Sequence, residues 1–394
     1  MTDIAERIDA AVRPHVERGE VTGLAWAVAV GDEVHRGAAG STRVGGDGPV
    51  GTDSIFRIAS LTKPVVAVAA LMLVEEGVLR LDDPLDRLIP ELAGRRVLAP
   101  GATSIDDTVP AVRPITLHDV LTFRLGWGVD LSAAELDPVV IGYATLELGA
   151  WPIAPQVPPP PDEWIRRLAT LPLQRQPGER WQYHIGSEIL GVIVARTAGC
   201  PLDRFLDERI FGPLGMVDTG FSVPAASRDR FGPYYGPFPD AEGRNLQDDT
   251  DGQWSTPPAF PSGGGGLVST AGDYLAFGRM LLAGGVHDGR RLLAAELVEE
   301  MTTNQLTPEQ ITSGPDSSGA RGWGLGVGVQ VRATATAPAG SYGWTGGLGS
   351  SWSNDPARGV SGVLLTNEML TSFDLPPTHE DFWLALGAAS GLRP

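Results

Sequence analysis

Lysine is nearly absent from this chain. Of its 30 basic side chains one, Lys63, is lysine and the rest are arginine. Arginine keeps its proton near neutral pH, whereas a lysine can lose one when its site depresses its pKa. A chain that avoids lysine and still keeps one has a position demanding a deprotonatable amine. Cysteine is as scarce. Cys200 stands alone, which excludes an internal disulfide and a cysteine-rich metal site. It closes an apolar helical stretch and reads as a packing residue. No apolar run reaches membrane-spanning length. Residues 1–7 carry no apolar core of a secretion signal, so a cytoplasmic location is expected. The histidines are scattered without metal-ligand spacing. No Gly-x-Ser-x-Gly elbow occurs, and no Gly-Lys-Ser follows the glycine run 263–266. No metal or other cofactor is expected.

Positive charge is also short. Against those 30 cations stand 48 acidic side chains, for a formal net charge of -18. A nucleic-acid partner needs a basic surface, and an anionic membrane does too, so both are disfavoured. The acidity reads as solubility. Hydrophobic content of 42% and charged content of 20% are those of an ordinary soluble globular protein. At 394 residues the chain has room for two or three domains, or one large domain carrying an insertion.

What is present is organised around Ile55-Phe56-Arg57-Ile58-Ala59-Ser60-Leu61-Thr62-Lys63-Pro64. An apolar run leads into Ser60, and an apolar helical pattern leaves it as far as about Glu76. Three residues apart on a helix, Ser60 and Lys63 share a face. Pro64 suits a first helical turn, where its missing N–H had no intrahelical partner. A hydroxyl and an amine then sit together at a helix N-terminus, among free backbone N–H groups.

Around this stretch the chain reads as a helix from Asp3 to about Glu17, then a hairpin of Leu24–Val30 with Glu33–Ala39. Short helices are expected at Ile115–Phe123, capped by Thr116, at Asp162–Thr170, and at Leu202–Ile210. A stronger one spans Ser187–Ala198. Residues 124–161, with Trp127 and Trp151, form a long irregular segment that reads as a packed lid or pocket wall. Residues 224–258 read as loop. Helices follow at Asp273–Ala283, with Thr270 as cap, and at Ala294–Met301. Strands return at Gly324–Val331, Tyr342–Trp344, Ser351–Asn354 and Val360–Thr366, with Phe382–Leu386 in a closing helix. The expected fold class is α/β (α+β). Residues 1–85 and 260–394 form a sheet domain, and 86–259 an inserted helical and loop-rich domain.

Two further stretches carry chemistry. Tyr183, just after Trp181, sits at a loop-to-helix junction where its phenol can move protons beside Lys63. Gly343-Trp344-Thr345-Gly346-Gly347-Leu348-Gly349 ends a strand in glycines, which let backbone approach a ligand. An N–H there, paired with that of Ser60, makes an oxyanion hole.

Ser60-Leu61-Thr62-Lys63, Tyr183-His184-Ile185 and Trp344-Thr345-Gly346, in this order, resemble the three motifs of the penicillin-recognising serine hydrolases: class C β-lactamases, DD-peptidases and their esterase relatives. The stretches 183–191, 213–219, 261–266 and 351–367 look like the family VIII carboxylesterases, where a tryptophan in the third motif is typical. The resemblance implies a β-lactamase-like fold, an antiparallel sheet flanked by helices with the site between sheet and helical domain. It implies Ser60 as nucleophile, with Lys63 and Tyr183 as proton-transfer groups and Ser60 and Gly347 as oxyanion donors. Tyr183, held at or near the phenolate by Lys63, is expected to take the Ser60 proton. Trp344, Thr345, Gly346 and Ile185 are expected to shape the substrate pocket, with Trp127 and Trp352 as wall candidates beside Trp254 and Trp323. His184 is expected in a surface or supporting role.

Two departures bear on substrate. Ile185 stands where the family often has asparagine, and Trp344 where it has lysine. Both polar anchors for a β-lactam or peptide are lost, which favours small neutral esters. A short-chain ester hydrolase acting on a small-molecule substrate is the expected function. A β-lactamase or D-peptidase is the alternative, or an acyltransferase if an alcohol or amine resolves the acyl-enzyme.

Overall fold

The computed structural model describes residues 4–130, 137–149, 152–238, 241–316, 318–372 and 374–391; Trp151 lies outside them. The chain opens with α1 (Ile4–Glu17), whose Ile8 and Val12 are fully buried. Strands β1 (Gly23–Val30) and β2 (Glu33–Gly40) follow as the expected hairpin, turning at Gly31 with φ +58°.

These two strands join five from the far end of the chain: β3 (Arg321–Trp323), β4 (Gly328–Gln330), β5 (Tyr342–Gly346), β6 (Ser350–Asp355) and β7 (Val360–Thr366). The sheet order is β3-β4-β5-β6-β7-β1-β2, antiparallel throughout. Strand β1 is apolar on both faces because both are covered. Its Leu24, Trp26 and Val28 face α1 and the closing helix Pro377–Ala389, with Phe382 and Leu386. The alternate residues Ala25 and Ala27 enter the main core, with Val363 and Leu365 of β7.

That main core holds α2 (Thr62–Glu75), buried continuously from Thr62 to Leu73. Against it packs α3 (Ile185–Ala198), ended by Gly199 in the left-handed region at φ +69°. Fully burying one Val or Leu side chain gives about 1.5–3 kcal/mol. A helix sheathed in such residues is a rigid mount for whatever stands at its first turn. The cap at Thr116 is observed, with Asp119 completing a capping box, and Thr270 caps the helix Ala271–Leu282.

Some expectations were too coarse. Gly324–Val331 is not one strand; the backbone turns between β3 and β4, with Gly326 at φ +81°. The segment 224–258 is not all loop, since Tyr234–Phe238 pairs with Ala241–Asp248. The second of these strands, Ala-Glu-Gly-Arg-Asn-Leu-Gln-Asp, lacks the apolar alternation that marks a strand in sequence. The irregular segment 124–161 contains a helix, Pro138–Thr145, started by the Asp137 side chain accepting from the Val139 N–H. Cys200 is half-buried against the main core. Among the described residues no single helix is long and apolar enough to cross a membrane.

Candidate active site

Ser60 stands in a 3₁₀ turn, Ala59–Leu61, that runs directly into α2. The turn is held from several sides. The Ile58 N–H donates to Leu267 O, the Ser350 hydroxyl to Ile58 O, and the Tyr274 hydroxyl to Leu61 O. Ala59 is forced to φ +45°, a cost that a non-glycine residue bears only where its surroundings over-determine it.

Lys63 lies one turn below and is fully buried. Its Nζ is 2.9 Å from Ser60 Oγ, 2.5 Å from Gly264 O and 3.3 Å from His184 Nδ1. Burial lowers its pKa to about 7, with the charge of Glu188 working the other way. Lys63 thus stands at hydrogen-bond distance from the serine, where burial favours its neutral form.

Tyr183 is fixed by a two-way backbone bridge to Val129, in the segment expected to wall the site. Lys63 Nζ lies 4.5 Å from the Tyr183 ring centroid, over its face. Burial raises the phenol well above its ordinary value, and hydrogen bonds with Ser60 and Trp344 return only part of that. Burial thus favours the protonated phenol over the expected phenolate, and the Lys63 amine lies over the ring rather than in a hydrogen bond with the phenol oxygen.

Trp344 is 8% exposed and donates its indole N–H to the Tyr183 hydroxyl at 2.6 Å. Thr345 and Gly347 are half-buried. Strand β4 pairs with β5 only at Tyr342 and Gly343, while β6 pairs along it to Gly346. One edge of Trp344–Gly346 is therefore open. A Cβ on Gly346 would meet Ile58 O at 2.5 Å and Ala59 Cβ at 3.2 Å, so this strand end abuts the Ser60 turn. Gly347 follows immediately, and among the described residues its N–H has no acceptor while its carbonyl accepts from Leu370.

The remaining pocket candidates divide. Ile185 opens α3 at 2% exposure, packed into the main core. Trp127 and Trp352 are both buried in the main core. Trp127 is fully buried with its N–H on Pro172 O, and Trp352 packs against Tyr274 and Phe277 with its N–H on Asn354. Large aromatics fill cores as readily as pockets, and their sequence positions do not say which. Trp254 is likewise core, bonded to Gly266 O. Trp323 is buried edge-on to Trp344 at 4.7 Å and supports the site from behind.

Sequence reasoning missed three contributors. Gly264 supplies a carbonyl to Lys63, and Glu188 with Ser262 lies beside His184. His184 itself touches the amine, with its side chain 26% exposed. The signal available was the i, i+4 spacing of His184 and Glu188 and the glycine run next to Ser262. A cation is also nearer than the loss of lysine at 344 suggested. The Arg321 guanidinium lies 5.6 Å from the Trp344 ring centroid, with no ion-pair partner among the described residues.

A serine–lysine pair at a helix start, a tyrosine across it and an open strand edge beside it define a serine acyl-transfer site between sheet and helices. The chain belongs to the β-lactamase family, which it matches over residues 8–381. It is 41% identical over 319 residues to Protein Rv1367c of Mycobacterium tuberculosis, covering 78% of this chain and 76% of that one. It is 32% identical over 399 residues to Esterase EstB of Burkholderia gladioli, covering 95% and 93%. Among solved structures it resembles EstCE1, described as a hydrolase with promiscuous acyltransferase activity. There the TM-score is 0.78 at 23% identity, over 97% of this chain and 98% of that one.

Proposed function

We propose that the protein is a serine carboxylesterase of the family VIII type, cleaving short-chain esters of neutral acids through an acyl-enzyme on Ser60. The observation that carries this reading is the buried Lys63 amine, 2.9 Å from Ser60 Oγ with its pKa lowered to about 7. A base titrating near the working pH is populated and still drives proton transfer.

In acylation, neutral Lys63 takes the Ser60 hydroxyl proton as Oγ bonds to the ester carbonyl carbon. The charge that develops on the carbonyl oxygen is received by the N–H groups of Ser60 and Gly347, each such donor being worth about 3–4 kcal/mol. When the ester C–O bond breaks, the Tyr183 hydroxyl gives its proton to the departing alkoxide and is reprotonated from Lys63. Water then attacks the acyl-enzyme, giving its proton to Lys63. The Oγ–C bond breaks, the proton returns to Ser60, and the acid leaves.

The test is p-nitrophenyl butyrate. The expected result is turnover with a butyryl adduct on the Ser60 peptide by mass spectrometry, and neither with Ser60→Ala. Turnover by Ser60→Ala at the wild-type rate overturns the reading. Arg321 beside Trp344 favours one alternative, a β-lactamase or D-peptidase in which this cation meets a substrate carboxylate. Nitrocefin turnover exceeding ester turnover, and lost in Arg321→Ala, would select it.

A further inference from the structure

The Lys63 amine has three polar neighbours within hydrogen-bond range: Ser60 Oγ, Gly264 O and His184 Nδ1. A neutral amine has two N–H bonds and one lone pair. Gly264 O can only accept, so it takes one N–H. The role of His184 Nδ1 depends on where the imidazole carries its proton. Its other nitrogen, Nε2, lies 3.2 Å from Glu188 Oε1. A carboxylate accepts, so the proton belongs on Nε2 and Nδ1 presents a lone pair. His184 therefore takes the second N–H of the amine, and the only direction left for the Lys63 lone pair is towards Ser60 Oγ.

We infer that His184 and Glu188 are positioning residues that aim the Lys63 lone pair at Ser60, with Glu188 fixing the imidazole tautomer. The inference rests on the reading of Lys63 as the base for Ser60, and it assigns that base a support.

The surroundings are built for this arrangement. Glu188 is 4% exposed, and its Oε1 also accepts from the Ser262 hydroxyl at 2.7 Å. Ser262 Oγ in turn accepts from the Gly265 N–H. The other carboxylate oxygen, Oε2, is buried and has no hydrogen-bond partner among the described residues. A Cβ on Gly264 would meet Glu188 Oε1 at 2.6 Å and His184 Cε1 at 2.8 Å, so a larger residue where the carbonyl reaches Lys63 would displace both side chains. His184 holds φ +84° and ψ −62°, and the Ile185 N–H donates to Tyr183 O across it. This is a γ-turn of the rare, strained kind. The strain turns Tyr183 and His184 on successive residues towards one amine. An ordinary i, i+4 pair on a helix needs neither a strained backbone nor a buried carboxylate with an unpaired oxygen.

The electrostatics agree with the geometry. Burial resists ionisation of Glu188, but the His184 and Ser262 hydrogen bonds and the Lys63 charge outweigh it and hold its pKa below the ordinary value. Burial and the nearby Lys63 charge keep His184 neutral, against the pull of Glu188. The groups around the amine are thus the Ser60 hydroxyl, the Gly264 carbonyl, the His184 imidazole, the Tyr183 ring and, beyond the imidazole, Glu188. Tyr143, from the helix Pro138–Thr145, feels the Glu188 charge and keeps its proton through burial. Only Glu188 is negatively charged in this set, so it opposes the burial that strips the Lys63 proton.

The single lysine makes a direct test possible, because [13Cε]lysine labelling gives one side-chain signal, from Lys63. Its titration is followed by NMR in the full chain, beside the rate at which a fluorophosphonate labels Ser60. In Glu188→Gln the Lys63 midpoint should fall by about one pH unit, and the acidic limb of labelling should move with it. His184→Gly accepts the same backbone but loses the acceptor, and should label about 10–100-fold more slowly. His184→Asn tolerates positive φ and carries an oxygen near the Nδ1 position, so it should restore most of that loss. An unmoved midpoint in Glu188→Gln, or wild-type labelling in His184→Gly, overturns the inference. If Glu188→Gln fails to fold, Glu188→Asp replaces it. There the charge and the midpoint should stay while labelling slows, and a midpoint that falls overturns the inference. Because neither readout uses an ester, failed ester turnover with an intact Lys63 shift would count against the proposed substrate alone.

Discussion

The indole N–H of Trp344 donates to the hydroxyl of Tyr183 at 2.6 Å, joining the strand motif to the tyrosine motif by one side-chain bond. Where related enzymes are expected to carry lysine, this chain carries an indole donor bonded to the phenol, and the prediction is that this bond orients it. Trp344→Phe keeps the ring and removes the donor. A hydrogen bond to a buried active-site group is worth about 1–3 kcal/mol, so kcat on p-nitrophenyl butyrate should fall about 10- to 100-fold. Thermal stability should change little, since the ring still packs on Trp323. A Phe variant with wild-type kcat would show that the bond orients nothing.

Lys63 predicts both a rate profile and a stability profile. With its pKa near 7, kcat/KM should rise with pH through a midpoint near 7 as the amine loses its proton. The stability argument has the opposite sense from a salt-bridged lysine. The unfolded lysine titrates near 10.5, so below pH 7 both states are protonated and the folded state bears the full cost of a buried ammonium. Between pH 7 and 10.5 the unfolded chain binds more protons, and stability rises with pH. Lys63→Met removes the cost. It should be more stable than wild type at pH 6, by a few kcal/mol, with the advantage vanishing towards pH 10, while kcat/KM falls by about 10²–10⁴. Denaturant melts at both pH values check the sign.

Tyr183→Phe separates the two candidate bases. Removing a phenol that only donates a proton to the leaving alcohol should lower kcat by about 10²–10⁴. The residual activity should keep its acidic midpoint near 7, because that midpoint belongs to Lys63. Were Tyr183 the base as a phenolate, the midpoint would disappear with it.

Legibility in sequence followed spacing. Ser60 and Lys63 were readable because three residues on a helix fix a contact, and the lysine count marked which contact mattered. Strands β1 and β7 were readable because burial on both faces writes a continuous apolar run, and β2 because the Gly31-Asp32 turn marks it as the partner of β1. Partnerships between distant segments were not readable. Nothing local announces that Gly264 lends its carbonyl to Lys63, or that Trp352 turns to Tyr274 while Trp344 turns to Tyr183. The role of His184 was hidden for a further reason: its contact depends on a strained φ that sequence gives no reason to expect in a histidine.

Gly346 tests the placement of the oxyanion donors. Its Cα end of β5 lies against the Ser60 turn, where an added methyl would meet Ser350 Oγ, Ile58 O at 2.5 Å and Ala59 Cβ at 3.2 Å. The Ile58 and Ala59 atoms belong to a turn tied down by Leu267, Tyr274 and Ser350, so the strand rather than the turn must yield. Yielding carries the next residue, Gly347, away from Ser60. Gly346→Ala should therefore lower kcat by about 10²–10³, the loss expected for one misplaced oxyanion donor. The Lys63 titration, which depends on groups across the site, should stay near 7. A variant that retains kcat would place the second donor elsewhere than Gly347, and one that shifts the Lys63 midpoint would mean the strand end and the amine are one mechanical unit.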